Sequence, residues 1–570
     1  MHEHEFARIG LLLASEDPHA PYFREALEHA GIPFDRLDFG ALERLNEVDV
    51  LLLCGSGDLS ATQRQSVHSW LRLGGGLVCC GSTWGLDADL GVSLVPDRSP
   101  SRELVFPVVA SDRSWPGQAG PVRAFGGVYA RPTDAKPVAQ TASGTLAASR
   151  RRMGKGAALF LAVHLGQTMS FVQMGRSVES DGIGPNDGSA TLNDHRLRAE
   201  DGIVLDFADD RSQPGESAHP IFTSPHADIL REVWIRLVIE AAETTGRRVA
   251  MFWPWPNAAE GAACISIDCE EFNPANVMSL HNVLAMGGGS AAWLVGQPGY
   301  PLDVYRSIRK WEHEVGILFA PNEDGSPCEE KLKVQHVAMS RVVSGPVLSS
   351  IRMPDGAWFR LDRFYEIAEA TGSRVSLCKG GRQPGTSGFC FGTCHPFHPL
   401  RADGEARRIL EIPYQIYMPG HIVDEPAVEA IMLQTAARNG CLQTVVASPA
   451  AQDSRVSLAL RRTIAIAKQA HLESMLPGEI ARFERVRRSL RIRPWREGVA
   501  SGFNLIGNEA LEGLTLLVSG PPVAVHADGK ALKTRAQHRF GTEWTEVVFD
   551  LSAKAQLGIM LGPAPVAAAA

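Results

Sequence analysis

Residues 264–272, with the sequence CISIDCEEF, contain the most informative pattern of the chain. Apolar and small residues run directly into the carboxylates of Asp268, Glu270 and Glu271. This is the pattern of a buried strand that delivers acidic side chains to the carboxyl end of a parallel sheet. Hydrolases that activate water with a metal and a base are often built in this way. We therefore expect the active or binding site of the chain to lie at the end of this strand.

The segment around this strand, residues 255–490, predicts a repeated series of strands and helices. Seven candidate strands with intervening helical patterns favour a distorted (β/α)7 barrel over an open sheet. The candidate strands are 264–269, 291–295, 313–319, 348–352, 374–378, 410–417 and 442–447. The clearest candidate helices are 360–371, 425–439 and 458–473.

The remainder of the chain predicts further domains, so the expected fold class is α/β multidomain. Residues 1–247 alternate apolar strands with amphipathic helices, which indicates a flavodoxin-like parallel sheet. Residues 495–563 contain short strand-like runs separated by Gly, Asp and Pro, which predict a small β-sandwich. The final residues, 564–570, are rich in Pro and Ala and are expected to be a disordered tail.

Composition restricts the classes of function. A length of 570 residues exceeds a single core and predicts about three or four domains. A net charge of −8 argues against a broad nucleic-acid surface. The sequence shows neither a signal-peptide pattern nor an apolar run long enough for a membrane helix, so we expect a cytoplasmic protein without a membrane span. The oligomeric state is not indicated.

The ten cysteines are scattered, and several lie in apolar, strand-like runs. This distribution favours reduced core thiols over a disulfide framework. The sequence also lacks a pair of CxxC motifs, which argues against a structural zinc ribbon.

Six motifs between residues 265 and 482 resemble, in order and spacing, those of the polysaccharide deacetylases, the NodB-like carbohydrate esterases. No single match decides the resemblance, and the shared order carries it. The motifs are 265–270 (ISIDCE), 289–296 (GSAAWLVG), 313–316 (HEVG), 352–356 (RMPDG), 388–397 (GFCFGTCHPF) and 477–482 (PGEIAR).

The resemblance implies metal-dependent hydrolysis of an acetyl group on a carbohydrate. In this family a divalent metal lowers the pKa of a bound water, and an aspartate takes the water's proton. By resemblance, Asp268 is the catalytic base and Glu270 is the carboxylate ligand of the metal, which is expected to be zinc. Arg352, Trp358 and Glu271 are the candidate substrate-binding residues, and Trp358 is a candidate to stack on a sugar face.

The histidine ligands of the family are missing. Leu318 and Asn322 occupy the two positions after the 313–316 motif where the family has its metal-binding histidines, and Ser448 occupies the position of a third histidine. A leucine cannot bind a metal, and an amide is a poor zinc ligand. His395 is the best candidate to substitute. The other candidates are His398, Cys394, Cys269 and Glu271.

Two hypotheses therefore stay open for this segment. The chain is either a metal-dependent carbohydrate deacetylase or a catalytically inactive relative that acts as a glycan-binding or scaffold protein. In both cases the expected partner is a carbohydrate.

The N-terminal segment resembles class I glutamine-amidotransferase-like domains. Residues 81–85 (GSTWG) lie where those enzymes carry a cysteine nucleophile at a sharp strand-to-helix turn. The central residue is Thr83, which is not activated like a thiolate. We expect a non-catalytic domain. An amidotransferase or thiol hydrolase that uses Cys79 or Cys80 is the alternative.

Overall fold

A computed structural model describes most of the chain. The described residues are 5–96, 105–110, 121–324, 326–343, 349–436, 439–449, 454–497, 500–554 and 556–563. The expected tail, 564–570, lies outside them. The α/β class is confirmed by parallel sheets with intervening helices. Contacts divide the chain into two compact units: one contains residues 1–170, 229–258 and 483–570, and the other contains 171–228 and 259–482. The proposed boundaries at 247, 255–490 and 495–563 stay a prediction.

The second unit is built on one parallel sheet that includes the acidic strand. Its eight main strands, in spatial order, are Leu410–Glu411, Val375–Ser376, Ser350–Arg352, Glu314–Leu318, Ala292–Val295, Gly261–Cys269, Leu442–Ala447 and Ile416–Tyr417. A ninth strand, Leu472–Ser474, pairs with the start of Gly261–Cys269.

The predicted strand 410–417 is two short strands at opposite edges of this sheet. Pro413 lies between them and has no N–H to donate to a ladder, which explains the interruption. Because only residues 412–415 connect the two edges, the sheet curls into an incomplete barrel rather than extending as an open layer.

The helices cover this sheet and determine where the chain leaves each strand. Asn273 caps the helix that follows the acidic strand, because its side chain accepts a hydrogen bond from the Ala275 N–H at 3.0 Å. The cap turns the chain directly after Phe272. The helices are Pro274–Gly287, Leu302–Lys310, Glu329–Val343, Arg363–Ala370, Glu425–Ala436, Ser454–Gln469 and Pro477–Ser489. Short 3-10 helices are Ala199–Gly202, Pro354–Gly356 and Pro384–Thr386.

The first unit contains a second sheet with a parallel half and an antiparallel half. The parallel strands, in spatial order, are Asp35–Arg36, Ile9–Leu13, Val50–Cys54, Gly76–Cys80 and Gly156–Leu161. The antiparallel strands that continue the sheet are Leu146–Met153, Lys136–Thr141, Val105–Ala110 and Val122–Phe125, with Val92–Leu94 and Ala130–Pro132 beside them. Its helices are Pro21–Ala30, Phe39–Glu47 (3-10), Ala61–Leu73 and Asp87–Leu90. Two further helices, Leu165–Met174 and His226–Thr244, are divided between the units after Ser170 and after Asp228, so Asp228 belongs to the second unit.

The C-terminal residues of the first unit form antiparallel strands in two sheets. One sheet contains Ala250–Phe252, Leu511–Ser519, Thr542–Leu551 and Thr534–Arg539, with the 3-10 helix Pro256–Ala258 after its first strand. The other contains Arg491–Glu497, Ala500–Ile506, Gln556–Pro563, Val523–Ala527 and Lys530–Ala531. The first strand comes from residues 250–252, which precede the acidic strand, so sequence position alone does not delimit this region.

Among the described residues, no helix combines the length and apolar character needed to cross a lipid bilayer.

Candidate functional site

Asp268 lies next to the carboxyl end of its strand and is paired with Arg352. The Arg352 Nε donates to Asp268 Oδ2 at 2.9 Å, and the two side chains are 0% and 2% exposed. Arg352 ends its own strand, which lies three strand positions away in the sheet. The contact is possible because the sheet curls and both side chains point to the inside of the curve.

Aromatic rings surround the guanidinium of Arg352. Its Cζ lies 4.3 Å from the ring centroid of Tyr414 and 5.8 Å from that of Tyr417. A further guanidinium N–H donates to the carbonyl of Leu377. Burial raises the pKa of Asp268, and the Arg352 guanidinium opposes that rise. Asp268 is therefore a desolvated carboxylate whose charge depends on one arginine.

Glu270 and Glu271 follow Asp268 and are both exposed. Desolvation by the surrounding protein, together with the carboxylates of Asp268 and Asp355, raises the pKa of Glu270. The backbone carbonyl of Glu271 accepts a hydrogen bond from the Tyr300 hydroxyl at 2.9 Å. Glu270 thus presents a carboxyl group with a raised pKa at the surface, and Glu271 is exposed beside it.

A cleft of about 640 Å³ opens at the carboxyl ends of four neighbouring strands. We call it the strand-end cleft. Clefts in this position are the usual ligand sites of parallel α/β sheets. Its lining includes Glu270, Phe272, Gly296, Gln297, Leu318, Phe319, Glu330, Lys331, Gln335 and Pro354.

The aromatic residue of this cleft differs from the one predicted. Trp358 is 0% exposed, and its ring packs against Lys379, whose Nζ lies 4.1 Å from the ring centroid. A fully buried ring has no face for a substrate, so the structure places Trp358 in the core. Phe272 is half-buried, lines the cleft and packs edge-on against Tyr300 at 5.5 Å between ring centroids. Phe272 directly follows Glu270 and Glu271 in the sequence. Its position after these carboxylates is the feature from which its place in the cleft could have been predicted.

Arg352 differs from its predicted role as well. It is 0% exposed and its Nε is directed at Asp268. A side chain without exposed surface cannot contact a substrate directly. Arg352 therefore acts on the site through Asp268.

The residues at the strand-end cleft do not fit the metal that the resemblance implies. Leu318 lines the cleft where the family has a ligand, and Asn322 donates its amide to Ser326 Oγ at 3.1 Å. Within the described ranges, neither Asp268 nor Glu270 belongs to a group of three or more converging His, Cys, Asp or Glu ligand atoms. No catalytic step through a metal follows for this cleft.

His395 lies in a different cluster, with Asp228, Cys394 and Cys441. Cys441 precedes the strand Leu442–Ala447, and its carbonyl accepts from the Ala262 N–H at 3.0 Å. Ala262 is near the amino end of the acidic strand, six residues before Asp268. At 3.3 Å per residue, that is about 20 Å from the carboxyl end. The structure does not bring His395 together with Glu270.

Two of the ten cysteines are oxidised. Cys394 and Cys441 are joined as a disulfide, with a Cα–Cα distance of 5.5 Å. The expectation of reduced thiols fails at this pair because the fold brings together residues 47 positions apart. Of the remaining candidates, Cys269 is buried as a free thiol, and His398 Nδ1 lies 3.0 Å from the Ile409 carbonyl oxygen.

The turn after the strand Gly76–Cys80 carries no activated nucleophile. Cys79 and Cys80 are fully buried, and burial raises the pKa of both thiols. Thr83 is 4% exposed. Nearby, His164 Nε2 lies 2.6 Å from Asp17 Oδ2. Burial alone would raise the pKa of Asp17, but the contact with His164 and the backbone N–H donors of Ser56 and His19 together lower it. Buried thiols of this kind are structural.

Comparisons with known proteins give only distant similarities. No family model and no curated protein matches the chain. Among solved structures, the Xyl-CE4 domain of a xylanase from the hindgut metagenome of Trinervitermes trinervoides is 10% identical, with a TM-score of 0.28, over 40% of this chain and 92% of that one. A mutant of a CE4 family pseudoenzyme with restored enzymatic activity is 11% identical, with a TM-score of 0.26, over 40% of this chain and 68% of that one.

A third similarity is to a β-galactosidase from Rahnella sp. R3. It is 16% identical, with a TM-score of 0.23, over 28% of this chain. The chain spans 29% of the length of that β-galactosidase. TM-scores of this size are too low to define the fold or the function of this chain.

Proposed function

We propose that the strand-end cleft binds a carbohydrate and that the chain does not hydrolyse it. The observation that supports this proposal is the pairing of Asp268 with Arg352 beside a cleft in which Leu318 stands at a ligand position. The choice of a carbohydrate as the ligand rests on the order of the motifs between residues 265 and 482, which resembles that of carbohydrate esterases.

The cleft offers the contacts that a sugar needs. Phe272 is half-buried and lines the cleft, and its ring suits the apolar face of a pyranose. Glu270 and Glu330 carry carboxyl groups that accept hydrogen bonds from hydroxyls, and Gln297 adds an amide that both donates and accepts. A mixture of one aromatic face and several convergent polar groups is typical of small-ligand sites.

Hydrolysis needs an activated water, and the cleft does not supply one. Unbound water has a pKa of about 15.7, which metal coordination lowers to about 7. One oxygen of Asp268 is engaged by Arg352, and Leu318 has no atom that binds a metal. The described side chains of the cleft can thus bind a ligand, but they include no group that activates water to hydrolyse it.

Metal-dependent deacetylation with Asp268 as the base is the second candidate. One observation favours it: Asp268 Oδ1 is buried and has no hydrogen-bond partner in the described residues. An unpartnered carboxylate oxygen in a site is available to a water or a metal. Acetate release from an acetylated glycan distinguishes the two candidates.

Calorimetric titration with oligomers of N-acetylglucosamine tests the binding proposal. We expect the wild-type chain to bind these oligomers. Phe272→Ala should raise the Kd by about tenfold, since an aromatic contact contributes about 0.5–1.5 kcal/mol beyond area burial. Glu270→Gln should weaken it severalfold.

Glu473→Gln is the matched control. It changes an exposed carboxylate on the strand Leu472–Ser474, at the amino end of the sheet. It should bind like the wild type. Binding that is absent in the wild type, or unchanged in Phe272→Ala, would contradict the proposal.

A further inference from the structure

We propose that Asp228, Cys394, His395 and Cys441 form a buried zinc site in the reduced chain, and that the Cys394–Cys441 disulfide is the oxidised form of the same site. This inference is independent of the strand-end cleft.

The four side chains converge although they come from three distant parts of the chain. One ligand atom from each lies within 4.8 Å of all the others. The residues are 3%, 0%, 4% and, for Cys441, 0% exposed. Asp228 lies in the first turn of the helix His226–Thr244, Cys394 and His395 lie in a bend, and Cys441 precedes a strand. All four residues are buried, so this cluster differs from the exposed groups of acidic residues that occur by chance on protein surfaces.

The set of donor atoms fits zinc. Two thiolates, one imidazole and one carboxylate are a tetrahedral set of the kind that selects Zn²⁺ over harder cations. Zinc holds sulfur at about 2.3 Å and nitrogen or oxygen at about 2.0–2.2 Å, so its ligand atoms lie about 3–4 Å apart. The observed convergence is compatible with that spacing after small side-chain rotations. Four protein ligands leave no open position, which makes the site structural.

The neighbouring groups already orient the ligands. The Thr393 hydroxyl donates to Asp228 Oδ1 at 2.7 Å, and the Cys394 N–H donates to Asp228 Oδ2 at 2.7 Å. The Cys394 Sγ lies 3.3 Å from the same Oδ2. The His395 N–H donates to Thr393 Oγ1 at 3.0 Å. Hydrogen bonds of this type fix carboxylate and imidazole ligands around protein metals.

The zinc form and the disulfide exclude each other because both use the same sulfur atoms. A dithiol reductant breaks the S–S bond by thiol–disulfide exchange: it delivers two electrons and two protons to Cys394 and Cys441 and becomes a disulfide itself. Zn²⁺ then replaces the two thiol protons, which are released to solvent. Zinc content and the number of free thiols therefore rise and fall together.

The test compares zinc and thiol content in the full chain. We purify the chain with a dithiol reductant and zinc, remove unbound zinc, and measure zinc by atomic emission and thiols by a chromogenic disulfide after denaturation. We expect one zinc and the full ten thiols per reduced chain. After oxidation we expect no zinc and eight thiols, the number of cysteines outside the disulfide.

Substitution of cobalt for zinc reports thiolate ligation and coordination geometry in the unmutated chain. The reduced wild-type chain should show a thiolate-to-cobalt charge-transfer band and the intense visible bands of tetrahedral Co²⁺. Cys441→Ser should lose the zinc, whereas Cys328→Ser, at a half-buried cysteine outside the cluster, should keep it. A fully reduced chain that takes up no zinc, or a Cys441→Ser chain that retains one zinc, would overturn the proposal.

Discussion

Arg352 Nε and Asp268 Oδ2 lie 2.9 Å apart, although two strands separate their own strands in the sheet. In a flat sheet, three strand spacings of about 4.8 Å would hold these backbones about 14 Å apart. The long guanidinium side chain and the curvature of the sheet together close that gap. The pair therefore joins opposite sides of the incomplete barrel just below the strand-end cleft.

Removal of Arg352 should destabilise the second unit strongly. In Arg352→Met the carboxylate of Asp268 stays buried without a counter-charge, and we expect the free energy of unfolding to fall by about 3–5 kcal/mol. Denaturant titration followed by tryptophan fluorescence measures this loss. Asp268→Asn combined with Arg352→Met should cost less than the two single changes added together. Additive losses would show that the pair makes no net interaction.

Acidification should destabilise the protein through His313. Burial and the neighbouring His281 lower the pKa of His313 from 6.5 to about 4. Its Nδ1 accepts from the Ala291 N–H at 3.3 Å, so a proton on Nδ1 would face another donor. The lowered pKa contributes stability above pH 6.5, and that contribution is lost as the pH falls toward 4.

The change in stability with pH is the readout for His313. We expect a decrease of at most about 1.4 kcal/mol per pH unit from this one group. His313→Asn retains an acceptor but does not titrate, so its stability should depend less on pH over the same window. An equal slope in both proteins would exclude His313 as the source.

Thiol reactivity in the folded chain should be confined to one residue. Cys328 is half-buried, whereas Cys54, Cys79 and the other free cysteines are buried. Because burial also raises the pKa of Cys79 and Cys80, iodoacetamide should modify Cys328 first, and mass spectrometry of peptides locates the label. Cys328→Ser should abolish the early labelling. Selective modification of Cys79 or Cys80 would instead indicate a thiol nucleophile in the first unit.

The sequence predicted the acidic strand well because a run of apolar and small residues ends there in carboxylates, and the strand is buried almost throughout. The predicted strand 442–447 coincides with the strand Leu442–Ala447. The prediction failed for 410–417, because the apolar pattern continues across Pro413 although a proline cannot donate to a strand ladder. Apolar runs define these buried strands, and a single missing N–H interrupts their pairing.

The site was less accessible to sequence reasoning because its contacts join distant residues. Asp268 and Glu270 were recognisable from their spacing, but the depth of Trp358 depends on how Lys379 and its neighbours pack. The cluster at Cys394 has no CxxC pattern, since Cys441 and Asp228 join it from other segments. Ligands that converge only through the fold leave no local signature.

Acetate release from N-acetylglucosamine oligomers by the wild-type chain with added zinc, compared with Asp268→Asn, decides whether the strand-end cleft binds carbohydrate without hydrolysing it. We expect no acetate above the level of Asp268→Asn from a protein that binds the same oligomers in calorimetric titration. Zinc-dependent acetate release that disappears in Asp268→Asn would contradict it and would make the strand-end cleft the active site of a deacetylase.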